Sequence, residues 1–433
     1  FLIFFIIVFL LKSLLTIYCN AQKIGFTYKI RKYLTSRIYQ KYLDSSYEDF
    51  INENSSKYLK NINYEISLVS EGLLQLLEFF SEVIVITGIG IFLLYYDLEV
   101  SIIVLLISVS FLFLINFLTK KKIFQLGEKT RNFEQLRIKN YIESFNLIKE
   151  IKIFGKENFF KNRDSKLTSD FLQSDFIFRF FKSLPRVLVE LLLIIILITL
   201  IFINIEQHDN YHVLEILGVF AAAAYRLMPS SNRIISSLQT IRYSLSSATN
   251  IVNELPKQSD TDSSNQNKKD ISEFKKNIIF SNVSFKYKKS NKYIFENLDL
   301  TISKNKITGI KGKTGTGKTT IINLISGLVD PTKGQVSIDD LNYSDMNIKS
   351  LQKLIAYVPQ SIYLMDTSIK ENISFGAEKY TIKDIEEAIL KSNLEKFVKE
   401  QPQGIESSIG EKSTKISGGQ AQRVGIARAL IKK

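Results

Sequence analysis

Gly312-Lys313-Thr314-Gly315-Thr316-Gly317-Lys318-Thr319 is the stretch on which the fold turns. It fits G-x-x-x-x-G-K-[ST], a loop that wraps the phosphates of a nucleotide. Gly312, Gly315 and Gly317 admit backbone angles closed to other residues and let the main chain approach the phosphates. Successive N–H groups then form an anion nest, and the N-terminus of the following helix adds favourable potential. Lys318 is expected to reach the β- and γ-phosphates, and the Thr319 hydroxyl to bind Mg²⁺. Lys313, Thr314, Thr316 and Thr320 complete the expected contact set. The motif requires a strand before it and a helix after it. Residues 306–311 read as that strand and 319–326 as that helix, with Gly327 as its C-cap.

Working outward, residues 278–280 and 283–287 read as strands, being β-branched or aromatic and bounded by polar turns. Residues 336–338 read as a further strand and 381–400 as mainly helix. The soluble domain is expected to start near Lys276. Before it, residues 256–270 are rich in Ser, Asp, Asn, Gln and Lys and read as a flexible linker. The expected division is therefore 1–255, a linker over 256–275, and 276–433.

The first division is different in kind. Apolar residues make up 45% of the 433 and are concentrated in its runs 1–18, 83–96, 100–118, 187–204 and 213–228. A membrane-spanning helix needs about 20 mainly apolar residues. The second run is short unless it begins near Leu73, which brings in Glu78 and Glu82; the last carries Glu215 near its start. Ala221 to Ala224 form a small-residue patch that favours close helix packing. The connections 97–99 and 206–212 contain no Lys or Arg, whereas 20–72 and 119–186 are rich in both. The positive-inside rule puts the long basic segments in the cytoplasm. The first run then passes from outside to inside, so a preceding span, six in all, is expected. Segments 31–71 and 120–182 keep a helical period and read as membrane helices prolonged into the cytoplasm, turning back near 47–56 and 144–151. A coiled-coil stalk is the alternative.

The net charge of +14 would suit a nucleic-acid binder. No basic helix or RNA-binding motif accompanies it, and the basic residues crowd between the apolar runs, so no nucleic-acid partner is expected. Cys19 is the single cysteine, which leaves no intrachain disulfide. His208 and His212 flank Asp209 and would share a metal on a helix. Their short external loop offers no further ligands, and a solvated loop is the better reading. The chain opens at Phe1 within an apolar run and closes at Lys433, and both ends read as cut.

About a hundred residues after the phosphate loop comes Ile416-Ser417-Gly418-Gly419-Gln420. Together the two motifs resemble the ATP-binding cassette (ABC) transporters. The resemblance covers essentially the whole chain, most strongly from Lys276 onward. It implies an α-helical transmembrane domain of exporter type, then an α/β P-loop nucleotide-binding domain with a helical subdomain, with ATP and Mg²⁺ as cofactors. Tyr287 matches the aromatic that stacks on adenine, for which a tyrosine face is physically suited. Gln360, in Tyr357-Val358-Pro359-Gln360, matches the glutamine that contacts Mg²⁺ and the attacking water, so Lys318 and Gln360 are the candidate catalytic residues. Ser417, Gly418, Gly419 and Gln420 match the signature that faces the γ-phosphate held by the other subunit, with Ile416 replacing the usual Leu. Ile409-Gly410-Glu411 is similar to a short element near the transmembrane contact of exporters, although Ser413 stands where Gly is usual. The sequence stops where the strand bearing a Mg²⁺-binding Asp and a catalytic Glu would follow, with the switch histidine later still. The expectation is a chain that binds ATP and needs that further segment to hydrolyse it.

Spans ahead of a nucleotide domain on one polypeptide resemble an exporter half-transporter. Such halves work as a homodimer, or with a related half, in the cytoplasmic membrane, with the nucleotide domain in the cytoplasm. Glu150 to Glu157 (EIKIFGKE) and Tyr225 to Arg233 (YRLMPSSNR) look like flippases of lipid-linked oligosaccharides. The cargo would then be amphipathic and carry a pyrophosphate, and Lys12 and Arg226 are candidate cavity cations for it. The alternative is that Lys12 snorkels or meets a carboxylate and that Arg226 sits at the cytoplasmic interface. Peptides or hydrophobic drugs are alternative cargoes. A non-transporting ATP-binding membrane regulator is the reading from another class.

Overall fold

The computed structural model describes residues 2–205, 210–256, 268–410 and 416–432. They fall into two compact units, Phe1–Thr261 and Asp262–Lys433.

The first unit is helical. Its elements are α1 (Leu2–Asp44), α2 (Tyr47–Ile51), α3 (Ser55–Lys60), a π-helical turn (Asn61–Glu65), α4 (Ile66–Tyr96), α5 (Leu98–Asn146), α6 (Ile148–Phe154), α7 (Glu157–Ile205) and α8 (Asn210–Glu254). Each of the five apolar runs lies within one long helix, and each basic segment continues the same helices. Among the described residues, Leu2–Asp44 and Ser55–Tyr96 are long and apolar enough to cross a membrane, by length and composition. The turns are capped by the residues whose short polar side chains favour them. The Ser46 hydroxyl accepts from the Asp49 N–H, and the Asn54 side chain from the Ser56 N–H. Asp97 does the same for Val100 at the start of α5, and Gly155 ends α6 with φ 60°. The chain thus turns back around 45–54 and at Leu147, where the two bends are expected.

Beyond the apolar stretches, a buried polar network ties α1, α3, the π-helical turn, α5 and α8 together. Glu65, fully buried, pairs with Lys60 at 2.8 Å, lies 3.8 Å from Arg131 of α5, and accepts from Asn250 of α8 at 2.8 Å. Asn250 also donates to Asn61, which donates to the Tyr42 hydroxyl of α1. Lys60 donates to Gln135 of α5. Buried charges persist only when paired and hydrogen-bonded. The network therefore fixes how these segments pack.

The second unit has two cores. In one, a four-stranded antiparallel sheet runs in the order β2-β1-β3-β4, with β1 Asn277–Phe285, β2 Phe295–Ser303, β3 Lys333–Ile338 and β4 Leu341–Asn342. It packs on α9 (Lys318–Ile325) and α10 (Ile348–Leu354) around Phe280, Val283, Phe285, Leu324 and Leu351. The strands expected at 278–280 and 283–287 are one strand whose register slips at Asn282, a residue with φ 51°. Gly327 follows the end of α9 with φ 62°. The expectation of a strand over 306–311 is overturned. Those residues form no regular element and join no ladder, and Ile307 is fully exposed. A strand exists by pairing, and no described segment pairs with this one. Residues 268–271 lie along this unit: Lys269 bridges Met346, Asn347 donates to Asp270, and the Ile271 N–H donates to Ser350. Residues 257–267 of the expected linker lie outside the described residues.

The other core is helical. It gathers α11 (Ile369–Ser374), α12 (Ile382–Lys391), α13 (Glu395–Lys399) and α14 (Gly418–Leu430) around Ile369, Ile373, Ile385, Leu394 and Val424.

Candidate nucleotide site

The phosphate loop is built on the edge of the sheet core. Gly315 and Gly317 have φ of 87° and 88°, in the left-handed region that favours glycine. A Cβ on Gly317 would also stand 2.5 Å from Ile294 and 3.2 Å from Phe295, so the loop's last glycine is pressed against the start of β2. The Thr316 hydroxyl donates to the Lys313 carbonyl at 2.9 Å. Gly312 leaves room for that hydroxyl, which a Cβ there would meet at 2.6 Å. Lys318 folds back over the loop, its ammonium donating to the carbonyls of Gly312 and Lys313, both at 2.8 Å.

Gly317 caps α9 and offers no side-chain acceptor to the first turn. The amides of Lys318, Thr319 and Thr320 are thus left to an external partner, as at an anion site. Lys313, Thr314 and Thr319 are exposed, whereas Thr320 is 5% exposed and sits on the buried side of the helix. Lys311, Lys313 and Lys318 supply three cations over eight residues with no carboxylate among them.

Tyr287, half-buried just beyond β1, meets Phe285 edge to face with centroids 5.0 Å apart. Phe285 lies 6.3 Å from Phe295, which packs against Gly317. A continuous run of aromatic contact therefore joins Tyr287 to the phosphate loop.

The other predicted residues are not joined to the loop. Gln360 is exposed at the end of an irregular segment, and among the described residues no hydrogen bond ties it to the loop. Ser417 to Gln420 belong to the helical core, where they close their own helix. The Ser417 hydroxyl accepts from the Gln420 N–H, and the Gln420 side chain accepts from the Ser417 N–H at 2.7 Å. Gly418 and Gly419 are exposed, and a Cβ on either would meet nothing within 4 Å. Ile416 is buried in the helical core. Ile409 is buried as well, but Glu411 and Ser413 lie outside the described residues.

In the helical unit, Lys12 lies over the Phe9 ring at 5.2 Å on an exposed stretch of α1. Arg226 is exposed on α8, and no contact joins it to Lys12 among the described residues. Arg233, about two turns further along, bonds to Glu82 of α4. His208 and Asp209 lie outside the described residues, as does the His212 side chain.

Sequence reasoning missed a node that builds the helical core. Arg428 donates to the Asn372 carbonyl at 2.8 Å, to the Asn372 side chain at 3.1 Å and to the Tyr363 carbonyl at 3.1 Å. Asn372, fully buried, also exchanges two hydrogen bonds with the Met365 backbone. The node joins α14 to α11 and to the segment after Gln360. A lone Arg and a lone Asn 56 positions apart give no sequence signal.

Comparison with known proteins now bears on this geometry. Residues 295–433 match the family model of ABC transporters. The second unit carries an ABC transporter domain. Such a domain binds ATP. The chain is 30% identical over 291 residues to the heterocyst differentiation ATP-binding protein HepA of Nostoc sp., covering 67% of this chain and 47% of that protein. It is 36% identical over 172 residues to ABC transporter B family member 21 of Arabidopsis thaliana, covering 40% of this chain and 13% of that protein. The chain thus spans less than half the length of either relative. A bacterial Atm1-family ABC exporter solved with ATP bound superposes with a TM-score of 0.83 at 20% identity, covering 94% of this chain and 72% of that one. The chain therefore has the ABC exporter fold, helical domain first and nucleotide domain second.

The exposed Thr319 hydroxyl and the open amides of α9 suit a triphosphate. Among the described residues no cluster of three or more His, Cys, Asp or Glu would hold a metal unaided. Mg²⁺ needs no such cluster where phosphates and waters fill most of its shell, so the donor set fits a nucleotide-borne ion.

Proposed function

We propose that the chain acts in ATP-driven export, two copies clamping ATP between the phosphate loop of one and the Ser417–Gln420 turn of the other. The observation that carries this reading is an uncapped α9 behind a glycine loop, on the same polypeptide as five long helices with apolar runs. ATP would be held by the loop amides and Lys318, with Tyr287 beneath the base. The Thr319 hydroxyl and Gln360 would hold Mg²⁺, which would supply charge neutralisation at the phosphates. Lys318 must then leave the Gly312 and Lys313 carbonyls, exchanging two neutral acceptors for phosphate. The α14 N-terminus of the partner copy brings helix-dipole potential to the γ-phosphate.

Closure has to be driven by tighter binding of ATP to the closed pair than to the open one, or nothing shifts. The bends after α1 and α5 would carry that closure to the spans in the cytoplasmic membrane. For cargo, an amphipathic lipid such as a lipid-linked oligosaccharide is favoured by the two flippase-like stretches, with Lys12 and Arg226 facing its head group. Arg226 is exposed, and Arg233 makes the direct bond to Glu82, whose carboxylate also feels the charge of Arg226.

The clamp is tested by Thr316→Cys with Ser417→Cys in a Cys19→Ser background. ATP should produce intersubunit disulfides, and ADP or Lys318→Ala should not. Crosslinks that never join separate copies, in protein that still binds ATP, would overturn the clamp.

A further inference from the structure

A cavity of about 470 Å³ opens between α5 and α8. Lys120 and Lys121 of α5 and Arg242 of α8 supply its charge, and Phe124 and Leu245 its apolar lining. Glu128 is the one carboxylate among the residues that line it, so the lining carries three cations against one anion. We propose that this cavity binds the phosphate of a membrane lipid's head group.

Three observations support the assignment. The first is level. Lys120 and Lys121 follow directly on the apolar run 100–118 of α5, on the side that the loop charges place in the cytoplasm. Basic residues at that height meet phosphates, not acyl chains. The second is the state of the cations. Arg137, Arg163 and Arg179 are each bonded to a carboxylate, whereas no ion pair engages Lys120 or Lys121 among the described residues. Neighbouring Lys122 is drawn off over the Phe181 ring at 5.0 Å and does not line the cavity. Burial disfavours the charge on Arg242 and holds its pKa below the usual guanidinium range. An anion in the cavity would restore part of the solvation that burial removes. The third is shape. Phe124, exposed, and Leu245, exposed, give the apolar flank that a glycerol backbone or first acyl carbons would cover.

The site rests on the membrane placement of α5 given above. It does not depend on ATP turnover or on the identity of the cargo. The test is native mass spectrometry of the full chain released from nanodiscs of mixed phosphatidylglycerol and phosphatidylcholine. The protein should retain phosphatidylglycerol preferentially. Lys120→Gln with Lys121→Gln should cut that retention by about fivefold per charge removed, and adding Arg242→Gln should cut it further. Lys161→Gln with Lys166→Gln, which removes the same charge from α7 at ~20 Å or more along the helix from Phe181, should leave it unchanged. Equal retention in the two double variants, or equal retention of the two lipids by the unaltered protein, overturns the site. Failure of the chain to enter nanodiscs at all overturns the membrane reading and the site together, which separates the two failures.

Discussion

At the start of α9 the capping position is Gly317, and no side chain accepts from the first turn. At the start of α14, Ser417 and Gln420 satisfy each other's N–H groups, while the side chains of the box leave the amides of Gly418 and Gly419 to an outside partner. The two helices belong to one ABC domain and have similar glycine content at their openings, yet one keeps its whole first turn for an outside partner and the other closes two of its donors from within. Ser-x-x-Gln is a capping box, and it satisfies its donors locally. Gly-Lys-Thr has no such acceptor and keeps its donors for phosphate. A helix opening that a ligand must complete can tolerate only what the ligand will replace. In α9 the replaceable partner is Lys318, parked on two carbonyls of its own loop.

The largest test of that contrast is Lys318→Ala. A hydrogen bond to a charged group is worth about 1.5–3 kcal/mol, so ATP should bind roughly 10- to 150-fold more weakly. Titration with a fluorescent ATP analogue measures it. Without nucleotide, the thermal stability of the chain should change little, since the two carbonyls then turn to water. Unchanged affinity would show that the loop amides alone carry binding.

Next in size is Arg428→Ala, which probes the closed side. It leaves buried Asn372 short of a donor and strips α14 from α11. The loss should be about 2–3 kcal/mol in the ABC domain, seen as a lower melting temperature, with ATP affinity of a single copy nearly unaltered. Ser417→Ala is smaller again. Removing an N-cap hydroxyl costs about 1 kcal/mol. If the signature acts only across the pair, the variant binds ATP normally yet forms the ATP-dependent crosslink of Thr316→Cys less well when that partner cysteine is moved to Gly418→Cys.

Much of this was legible in the sequence, and for identifiable reasons. The loop, the signature turn and the five apolar runs are local patterns, each dictated by residues within a few positions of one another. The bends were legible to within a few residues, expected near 47–56 and 144–151, although the capping residues Ser46 and Gly155 lie just outside those bounds. What was not legible depends on distant partners. Whether 306–311 becomes a strand is decided by a neighbour, not by its own β-branched residues, and no described neighbour pairs with it. The Arg428–Asn372 node and the Glu65 network join residues 56 and 185 positions apart, with nothing in either stretch to announce the other. Gln360 shows the same limit from the functional side. Its motif is readable, but its place relative to the loop is not fixed by anything in Tyr-Val-Pro-Gln.

The smallest expected effect concerns a third way of satisfying backbone donors, by a carboxylate held across a turn. Asp339 accepts from the N–H groups of Lys275, Lys276 and Asn277 at 2.8, 2.6 and 3.0 Å. Burial alone would raise its pKa, but these three donors hold it below the usual carboxylate value. In an unfolded chain an Asp titrates near ~3.9. Above that pH both states are ionised and the stabilisation is fully present; it is lost as pH falls through the lower, folded value. Asp339→Asn removes the titration and should lower the melting temperature slightly at neutral pH. The gap between the two proteins should hold above about pH 5 and close only as pH falls below about 4, through the lower folded value. No gap at neutral pH would mean that the amide serves the three donors as well as the carboxylate does. Geometry, and not charge, would then be what this turn requires, as it is at the Ser417 cap.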